Sequence, residues 1–253
     1  MTKHSKQKVL VFDMDDTLYK RSDPYLKTVK EFFPGGLPVG EAELLETAHS
    51  TKERLFKRQA DGLISMREML IGRTVETYKS FGIALSEDEA WRFEKRYKEN
   101  LLRMKVSPLL LQLLGDLAKA GCRMGVLTNG DSVRQREKLQ SLGAAAFFRE
   151  QDVLVTGDVG IPKPETGIFR AYEERTGLAP GDLWLIGDSY ETDVCGAKRA
   201  GWHAVWFNWR KETLPAGAEK PDREAKTEEE LSAAVRELAC LPNHFHTVVS
   251  SNL

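Results

Sequence analysis

The chain has 253 residues, of which 41 % are hydrophobic and 30 % charged, and its formal net charge is −1. This length favours one large domain with a smaller one, and the near-neutral charge argues against a partner that is a nucleic-acid polymer. No apolar run approaches the roughly 18 residues that span a membrane, and three dispersed cysteines predict reduced thiols in a cytoplasmic protein.

The first predicted element is a short buried strand over residues 8–12, which are apolar after the lysine and rich in β-favouring types. Between about residues 20 and 105, apolar residues recur at helical spacing among many charges. This pattern predicts an all-helical segment of about four helices. Breaks between the helices are expected at Gly35-Gly36, Pro38, Gly62 and Gly82.

Beyond residue 108 the pattern alternates between helix and strand. Helices are predicted at 109–120, 132–142 with Ser132 as N-cap, 164–176, 192–200 and 228–238, and strands at 123–127, 183–186 and 203–207. Such alternation predicts a doubly wound parallel sheet, in which the first strand also belongs. The predicted domains are therefore an α/β core (1–19 and 106–240), an inserted helical cap (20–105) and a C-terminal tail (241–253).

Polar residues stand where the predicted strands end. In doubly wound sheets the carboxyl ends of the strands form the ligand site, so these side chains should converge at one edge. They are Asp13 and Asp15 after the first strand, Thr128 and Asn129 after the second, Lys163 before a helix, and Asp188 and Asp193 after the next strand.

Several carboxylates at one edge repel each other unless a cation lies among them. Oxygen ligands without histidine or cysteine indicate Mg²⁺. A hydroxyl on Thr128 and a charge on Lys163 would bind a phosphate, which suits phosphoryl transfer. An aspartate can attack phosphorus directly, and Asp15 lies close enough to Asp13 to move the proton that such a reaction requires.

Four motifs in order carry a resemblance to a known family. The runs DMDDTL, LTNG, KP and GDSYETD resemble the ordered motifs of the haloacid dehalogenase superfamily, and GAKRAGWHAVWFN is similar to its phosphatase branch. The resemblance implies that Asp13 is the nucleophile and a Mg²⁺ ligand. It implies that Asp15 is the general acid and base, with its backbone carbonyl on the metal, and that Thr128 and Lys163 hold the transferring phosphoryl group.

The same resemblance covers the remaining motif positions. Asn129 is expected to bind the substrate phosphate, Asp188 to bind Mg²⁺, and Asp193 to support the metal site or Lys163 from a second layer. Asp16 falls on a variable position of the first motif, so no role is carried over to it.

The position and helical character of the insertion resemble the C1-type cap of this superfamily, which would exclude water and select the leaving group. The expected function is Mg²⁺-dependent hydrolysis of a small-molecule phosphate ester, and similarity to nucleotidases adds a nucleoside 5′-monophosphate as a candidate substrate. The alternatives are a phosphosugar mutase, and a non-catalytic regulatory protein on the same fold. The sequence makes no prediction of the oligomeric state.

Overall fold

The computed structural model describes residues 8–214 and 216–242. The described residues form two compact units: one is Lys20–Met104, and the other combines the residues on either side of it in the chain. The assignment of Lys20–Met104 as a cap stays a prediction. Most of the predicted tail, from residue 243 onward, lies outside the described residues.

The unit Lys20–Met104 is helical. Its helices are α1 (Ser22–Phe32), α2 (Glu41–Ala60), α3 (Met66–Lys79) and α4 (Glu87–Leu101), with the expected glycines in the connections. Two of them begin with capping boxes, in which a serine and a glutamate three residues later satisfy each other's backbone N–H: Ser65 with Glu68, and Ser86 with Glu89. The local sequence therefore defines where α3 and α4 start.

The core of this helical unit is aromatic. Tyr78 and Phe93 are fully buried and pack edge to face, with Val29 and Leu44 completing the buried cluster. Burying one such ring contributes on the order of 2–3 kcal/mol, so these positions set the packing of the helices.

The second unit is an α/β fold around a six-stranded sheet in the order β3-β2-β1-β4-β5-β6. Its strands are β1 (Val9–Phe12), β2 (Met124–Thr128), β3 (Val153–Val155), β4 (Leu183–Gly187), β5 (His203–Phe207) and β6 (Arg223–Ala225). Its helices are α5 (Pro108–Lys119), α6 (Ser132–Ser141), α7 (Thr166–Thr176), α8 (Gly196–Arg199) and α9 (Glu228–Leu238). All neighbouring strands pair in parallel, which confirms the predicted doubly wound sheet.

Strand order places a crevice beside β1. From β1 the chain moves outward through β2 and β3, and it then returns to β4 on the other side of β1. Connections leave in opposite directions at this point, and such a switch point opens a ligand site at the carboxyl ends of the strands. Trp202 and Trp206 are buried in the core on the sheet, where they pack with Phe169, Tyr172 and Tyr190.

Three local predictions differ from the structure. Ser132 is the first residue of α6 and not its N-cap, because the side chain of Asp131 accepts the capping hydrogen bond from Arg134 N at 3.0 Å. The helix predicted at 192–200 is a π-helical turn, Tyr190–Cys195, followed by α8. Strands β3 and β6 were not among the predicted strands: β3 has only three residues, and the sequence of β6, Arg-Glu-Ala, is polar and mostly exposed. Across the described part of the chain, no helix is both long and apolar enough to cross a bilayer.

Candidate active site

Two buried aspartates lie at the carboxyl edge of the sheet beside the switch point. Asp13 directly follows β1, and its backbone N–H donates to Ile186 O at 2.8 Å. Asp188 directly follows β4, and its carbonyl accepts from the indole N–H of Trp206 at 2.9 Å. The backbone of each aspartate is thus held by a residue of the neighbouring strand. Together with Asp193 they offer carboxylate oxygens that lie within 4.8 Å of one another.

Lys163 lies between two of these carboxylates. Its Nζ is 2.8 Å from Asp13 Oδ1 and 2.6 Å from Asp193 Oδ1, and it also donates to Leu127 O at 2.9 Å. The side-chain amide of Asn129 holds the backbone of Lys163, donating to its carbonyl at 3.1 Å and accepting from its N–H at 2.9 Å. The Asn129 amide thus fixes the backbone of Lys163 and uses one of its two N–H groups to do so.

Asp193 has both carboxylate oxygens engaged. Oδ1 accepts from Lys163, and Oδ2 accepts from Ser189 N at 3.0 Å. The neighbouring Gly187 makes room for this side chain, because a Cβ on residue 187 would lie 2.3 Å from Asp193 Oδ2. Asp193 is therefore committed to fixing Lys163 and the loop after β4.

Asp15 lies among polar side chains of the same unit. Its Oδ1 accepts from the Tyr19 hydroxyl and from Lys138 Nζ, both at 2.6 Å. Gln135 Nε2 lies 3.4 Å from Asp15 Oδ2 and donates to Thr128 Oγ1 at 2.9 Å. Because its oxygen accepts from Gln135, the Thr128 hydroxyl can donate its own proton to a ligand.

A guanidinium connects the Asp188 carboxylate to one further carboxylate, that of Asp16. Arg210, in the loop after β5, donates from Nη1 to Asp188 Oδ2 at 2.6 Å and from Nη2 to Asp16 Oδ2 at 3.0 Å. Its guanidinium carbon lies 4.3 Å from the centre of the Trp209 ring. Asp16, to which the sequence assigned no role, is thereby connected to Asp188.

The structure brings every predicted site residue to this edge of the sheet. Sequence reasoning missed Gln135, Lys138, Tyr19 and Arg210. Gln135 and Lys138 stand three positions apart and so share one face of the predicted helix α6, which was an available signal. Which part of the site that face contacts depends on how α6 packs against the sheet. The local sequence of α6 does not determine this packing.

Residues 7–201 match the model of a protein family described as haloacid dehalogenase-like hydrolase. The chain belongs to this hydrolase family. The hydrolase is 29 % identical over 214 residues to glyceraldehyde 3-phosphate phosphatase of Methanothermobacter thermautotrophicus. The alignment covers 79 % of this chain and 85 % of the relative. It is also 30 % identical over 225 residues to phosphoserine phosphatase of Thermus thermophilus. That alignment covers 79 % of this chain and 88 % of the relative.

The fold of the hydrolase is similar to a solved structure of the same superfamily. The magnesium-bound HAD-hydrolase YfnB of Bacillus subtilis superposes with a TM-score of 0.69 at 22 % identity, covering 91 % of this chain and 99 % of that chain. At this identity the similarity shows the fold.

Burial and mutual repulsion govern the charges in the hydrolase site. Burial raises the pKa of Asp13 to about 8; Lys163 opposes this rise in pKa, and the carboxylates of Asp193, Asp188 and Asp15 add to it. Burial also raises the pKa of Asp188 to about 6, with Asp193 adding to the rise. For Lys163, burial alone would lower the pKa, but the charges of Asp13 and Asp193 outweigh burial and raise it, so the lysine stays protonated.

The residues of the hydrolase fit a hard divalent cation. Within the described part of the chain, no hydrogen bond or ion pair reaches Asp13 Oδ2 or Asp188 Oδ1, whereas both oxygens of Asp193 are engaged. The available donors are therefore carboxylate oxygens, and burial, together with the neighbouring carboxylates, raises the pKa of both aspartates. Oxygen donors with surplus negative charge suit a cation such as Mg²⁺.

The metal-free hydrolase should lose stability as the pH rises. The folded-state pKa of Asp13 is about 8 against its ordinary value of 3.8, so between these pH values the native state binds more protons than the unfolded state. The free energy of unfolding should then fall by up to about 1.4 kcal/mol per pH unit, and Asp188 adds to this between 3.8 and about 6. Thermal melts with chelator at pH 5 to 8.5 measure this slope.

The matched control for this titration is Asp13→Asn, in which the contribution of residue 13 to the slope should disappear. A melting temperature of the metal-free protein that rises from pH 5 to pH 8, or a slope that Asp13→Asn leaves unchanged, would contradict the assignment of the titrating group.

Proposed function

We propose that this hydrolase is a Mg²⁺-dependent phosphatase that cleaves a small-molecule phosphate monoester through a phospho-aspartate on Asp13. The observation that carries the proposal is the arrangement around Asp13. One of its oxygens is held by the buried Lys163 at 2.8 Å, while the other accepts no hydrogen bond from the described residues. Asp15, which can carry a proton, stands two positions along the chain. The phosphatase names of the relatives support hydrolysis of phosphoric monoesters.

In the first step Asp13 acts as the nucleophile. An Asp13 oxygen forms a bond to phosphorus, the bond between phosphorus and the ester oxygen breaks, and Asp15 transfers a proton to the departing oxygen. The Thr128 hydroxyl donates to an equatorial phosphoryl oxygen, where negative charge is concentrated, and Lys163, whose three N–H groups are held by Asp13, Leu127 O and Asp193, supplies a fixed positive charge beside it. The hydrogen bond from Gln135 to Thr128 Oγ1 orients that hydroxyl so that its proton is available.

In the second step water releases the phosphate. Asp15, now a carboxylate, takes a proton from a water molecule as the water oxygen forms a bond to phosphorus, and the bond from Asp13 to phosphorus breaks. Inorganic phosphate leaves, Asp13 is regenerated as a carboxylate and Asp15 is protonated again. Tyr19 and Lys138 contact Asp15 Oδ1 and so fix the position of the group that serves both steps.

Asp13 and Asp188 are the residues that would hold Mg²⁺, with the backbone carbonyl of Asp15 as the resemblance implies. When bound, the cation neutralises charge on the phosphoryl oxygens. Asp193 is assigned to Lys163 and not to the cation, because both of its oxygens are already engaged.

The substrate is proposed as a phosphate ester of a small polar molecule. The relatives named above are phosphatases of glyceraldehyde 3-phosphate and phosphoserine, which favours compounds of this size. A nucleoside 5′-monophosphate stays a candidate from the sequence. A phosphosugar mutase is the alternative, since it would use the same phospho-aspartate and return the phosphoryl group to the product.

Phosphate release from a substrate panel tests the proposal. The panel contains glyceraldehyde 3-phosphate, phosphoserine, nucleoside 5′-monophosphates, glucose phosphates and an aryl phosphate, each with Mg²⁺ and with excess chelator. We expect release with Mg²⁺ and a loss of at least about 100-fold with chelator, because the carboxylates then repel the substrate phosphate.

Restoration by Mg²⁺ after removal of the chelator is the control for this experiment. Turnover that persists after thorough metal removal would refute the metal requirement. Isomerisation of a glucose phosphate without net release would instead identify a mutase.

A further inference from the structure

Arg210 engages one oxygen of a proposed metal ligand. Its guanidinium donates to Asp188 Oδ2 at 2.6 Å, and it bridges from there to Asp16 at 3.0 Å. The carboxylates of Asp188 and Asp16 are almost fully buried, whereas 34 % of the Arg210 side chain is exposed. The partly exposed guanidinium lies over the Trp209 ring.

The backbone conformation of Asp16 supports a specific role for the Asp188–Arg210–Asp16 bridge. Asp16 has φ 61°, in the left-handed region where glycine is free of strain and most other residues are not. Aspartate tolerates this region better than most side chains do, yet glycine would occupy it without cost. The carboxylate that glycine lacks is the group that holds Arg210.

The bridge limits how Asp188 can bind a cation. Because Oδ2 accepts from Arg210 while Oδ1 accepts no hydrogen bond from the described residues, Oδ1 is the oxygen left for a cation, and Asp188 is expected to act as a monodentate ligand. Mg²⁺ binds one oxygen from each carboxylate in a strict octahedron, whereas Ca²⁺ takes about 6–8 oxygens and often binds carboxylates through both. A carboxylate restricted to one oxygen therefore disfavours Ca²⁺ more than Mg²⁺.

We propose that Arg210, anchored by Asp16, is a positioning residue that restricts Asp188 to one ligand oxygen and so makes the site select Mg²⁺ over Ca²⁺. This inference rests on the proposed function, since it takes Asp13 and Asp188 as the cation site. A purely electrostatic role for Arg210 has a different signature: removing its charge would then strengthen both ions by the same factor, because both carry the same charge.

The test is calorimetric titration of the full chain with MgCl₂ or CaCl₂ alone, without substrate. Tryptophan fluorescence provides a second readout, because Trp206 donates to the Asp188 carbonyl and Trp209 stacks on Arg210. One variant is Arg210→Met, which removes the guanidinium and both of its hydrogen bonds. Another is Asp16→Asn, which keeps the shape of the side chain that holds Arg210 and removes its charge. Arg210→Lys keeps the charge without the two-pronged geometry.

In wild type we expect tighter binding of Mg²⁺ than of Ca²⁺. In Arg210→Met the ratio of the Ca²⁺ Kd to the Mg²⁺ Kd should fall on the order of tenfold, with smaller falls in Arg210→Lys and Asp16→Asn. Arg223→Met is the matched control, because Arg223 pairs with Glu237 and contacts no site residue among those described; its ratio should equal that of wild type.

An unchanged ratio in Arg210→Met, or an equal gain for both ions, would overturn the selectivity role while leaving the proposed phosphatase intact. If Arg210→Met does not fold, Arg210→Lys and Asp16→Asn decide the matter, and wild-type ratios in both would overturn it equally. Wild type that binds neither ion would overturn the metal site itself, and the selectivity role with it.

Discussion

Asp13→Asn is expected to lower kcat by on the order of 10⁴-fold or more while the protein keeps its fold. The amide cannot form the phospho-aspartate, and Asp193, the other carboxylate that Lys163 contacts among the described residues, has both of its oxygens engaged. Asparagine also removes the ionisable group whose pKa is raised by burial and, to a smaller extent, by the neighbouring carboxylates. In chelator at pH 8 the variant should therefore melt several degrees above wild type.

Phosphate release and thermal melts measure the two effects of Asp13→Asn. Asp222→Asn is a matched control, because Asp222 lies away from the site, where it accepts from Ala204 N and Lys198, and an asparagine oxygen can still accept both hydrogen bonds. Full turnover by Asp13→Asn would show that Asp13 is not the nucleophile. A melt of metal-free Asp13→Asn below that of wild type at pH 8 would contradict the electrostatic picture of the site.

The second large effect is expected for Lys163→Met. This change leaves Asp13 and Asp193 buried without their shared cation and removes the donor to Leu127 O. Breaking a buried ion pair from one side costs about 3–5 kcal/mol, so the free energy of unfolding in chelator at pH 7 should fall by that amount. Phosphate release should be lost as well, because the phosphoryl group loses its fixed positive charge.

Urea denaturation measures the stability of Lys163→Met. Lys198→Met is its control, since Lys198 pairs with a partly exposed Asp222 and should cost at most about 1 kcal/mol. The double variant Asp13→Asn/Lys163→Met should recover part of the lost stability, because the amide is neutral in the folded and the unfolded state and folding no longer requires the proton that a buried Asp13 takes up. Wild-type stability in Lys163→Met, or a double variant less stable than Lys163→Met, would contradict the shared-cation arrangement.

The sheet and the ends of its strands could be predicted because their signals are local. The strands β1, β2 and β4 are runs of buried apolar residues, and each is followed at once by a polar residue that stays at the sheet edge: Asp13, Asn129 and Asp188. Parallel pairing then brings these strand ends together, irrespective of the conformation of the connecting loops. Strand β6 lacked such a signal, because two of its three residues are exposed.

The surroundings of the carboxylates could not be predicted because they depend on long-range packing. Lys138 contacts Asp15 across 123 positions of the chain, and Arg210 contacts Asp16 across 194. Neither pair has a spacing that a local pattern could indicate. Asn129 likewise follows a predicted strand, as expected. Its side-chain amide binds the Lys163 backbone, however, and nothing in the LTNG motif indicates this contact.

The missing side chain at residue 187 has a consequence for how this site can change. Any Cβ there would displace the carboxylate of Asp193, and that carboxylate holds both Lys163 and the amide of Ser189. A substitution at 187 would thus act on the phosphoryl-binding lysine without touching it. A screen of single substitutions should therefore find both positions intolerant, and joint randomisation should not rescue them, because a smaller residue 193 makes room for a Cβ at 187 but lacks the oxygens that hold Lys163 and Ser189.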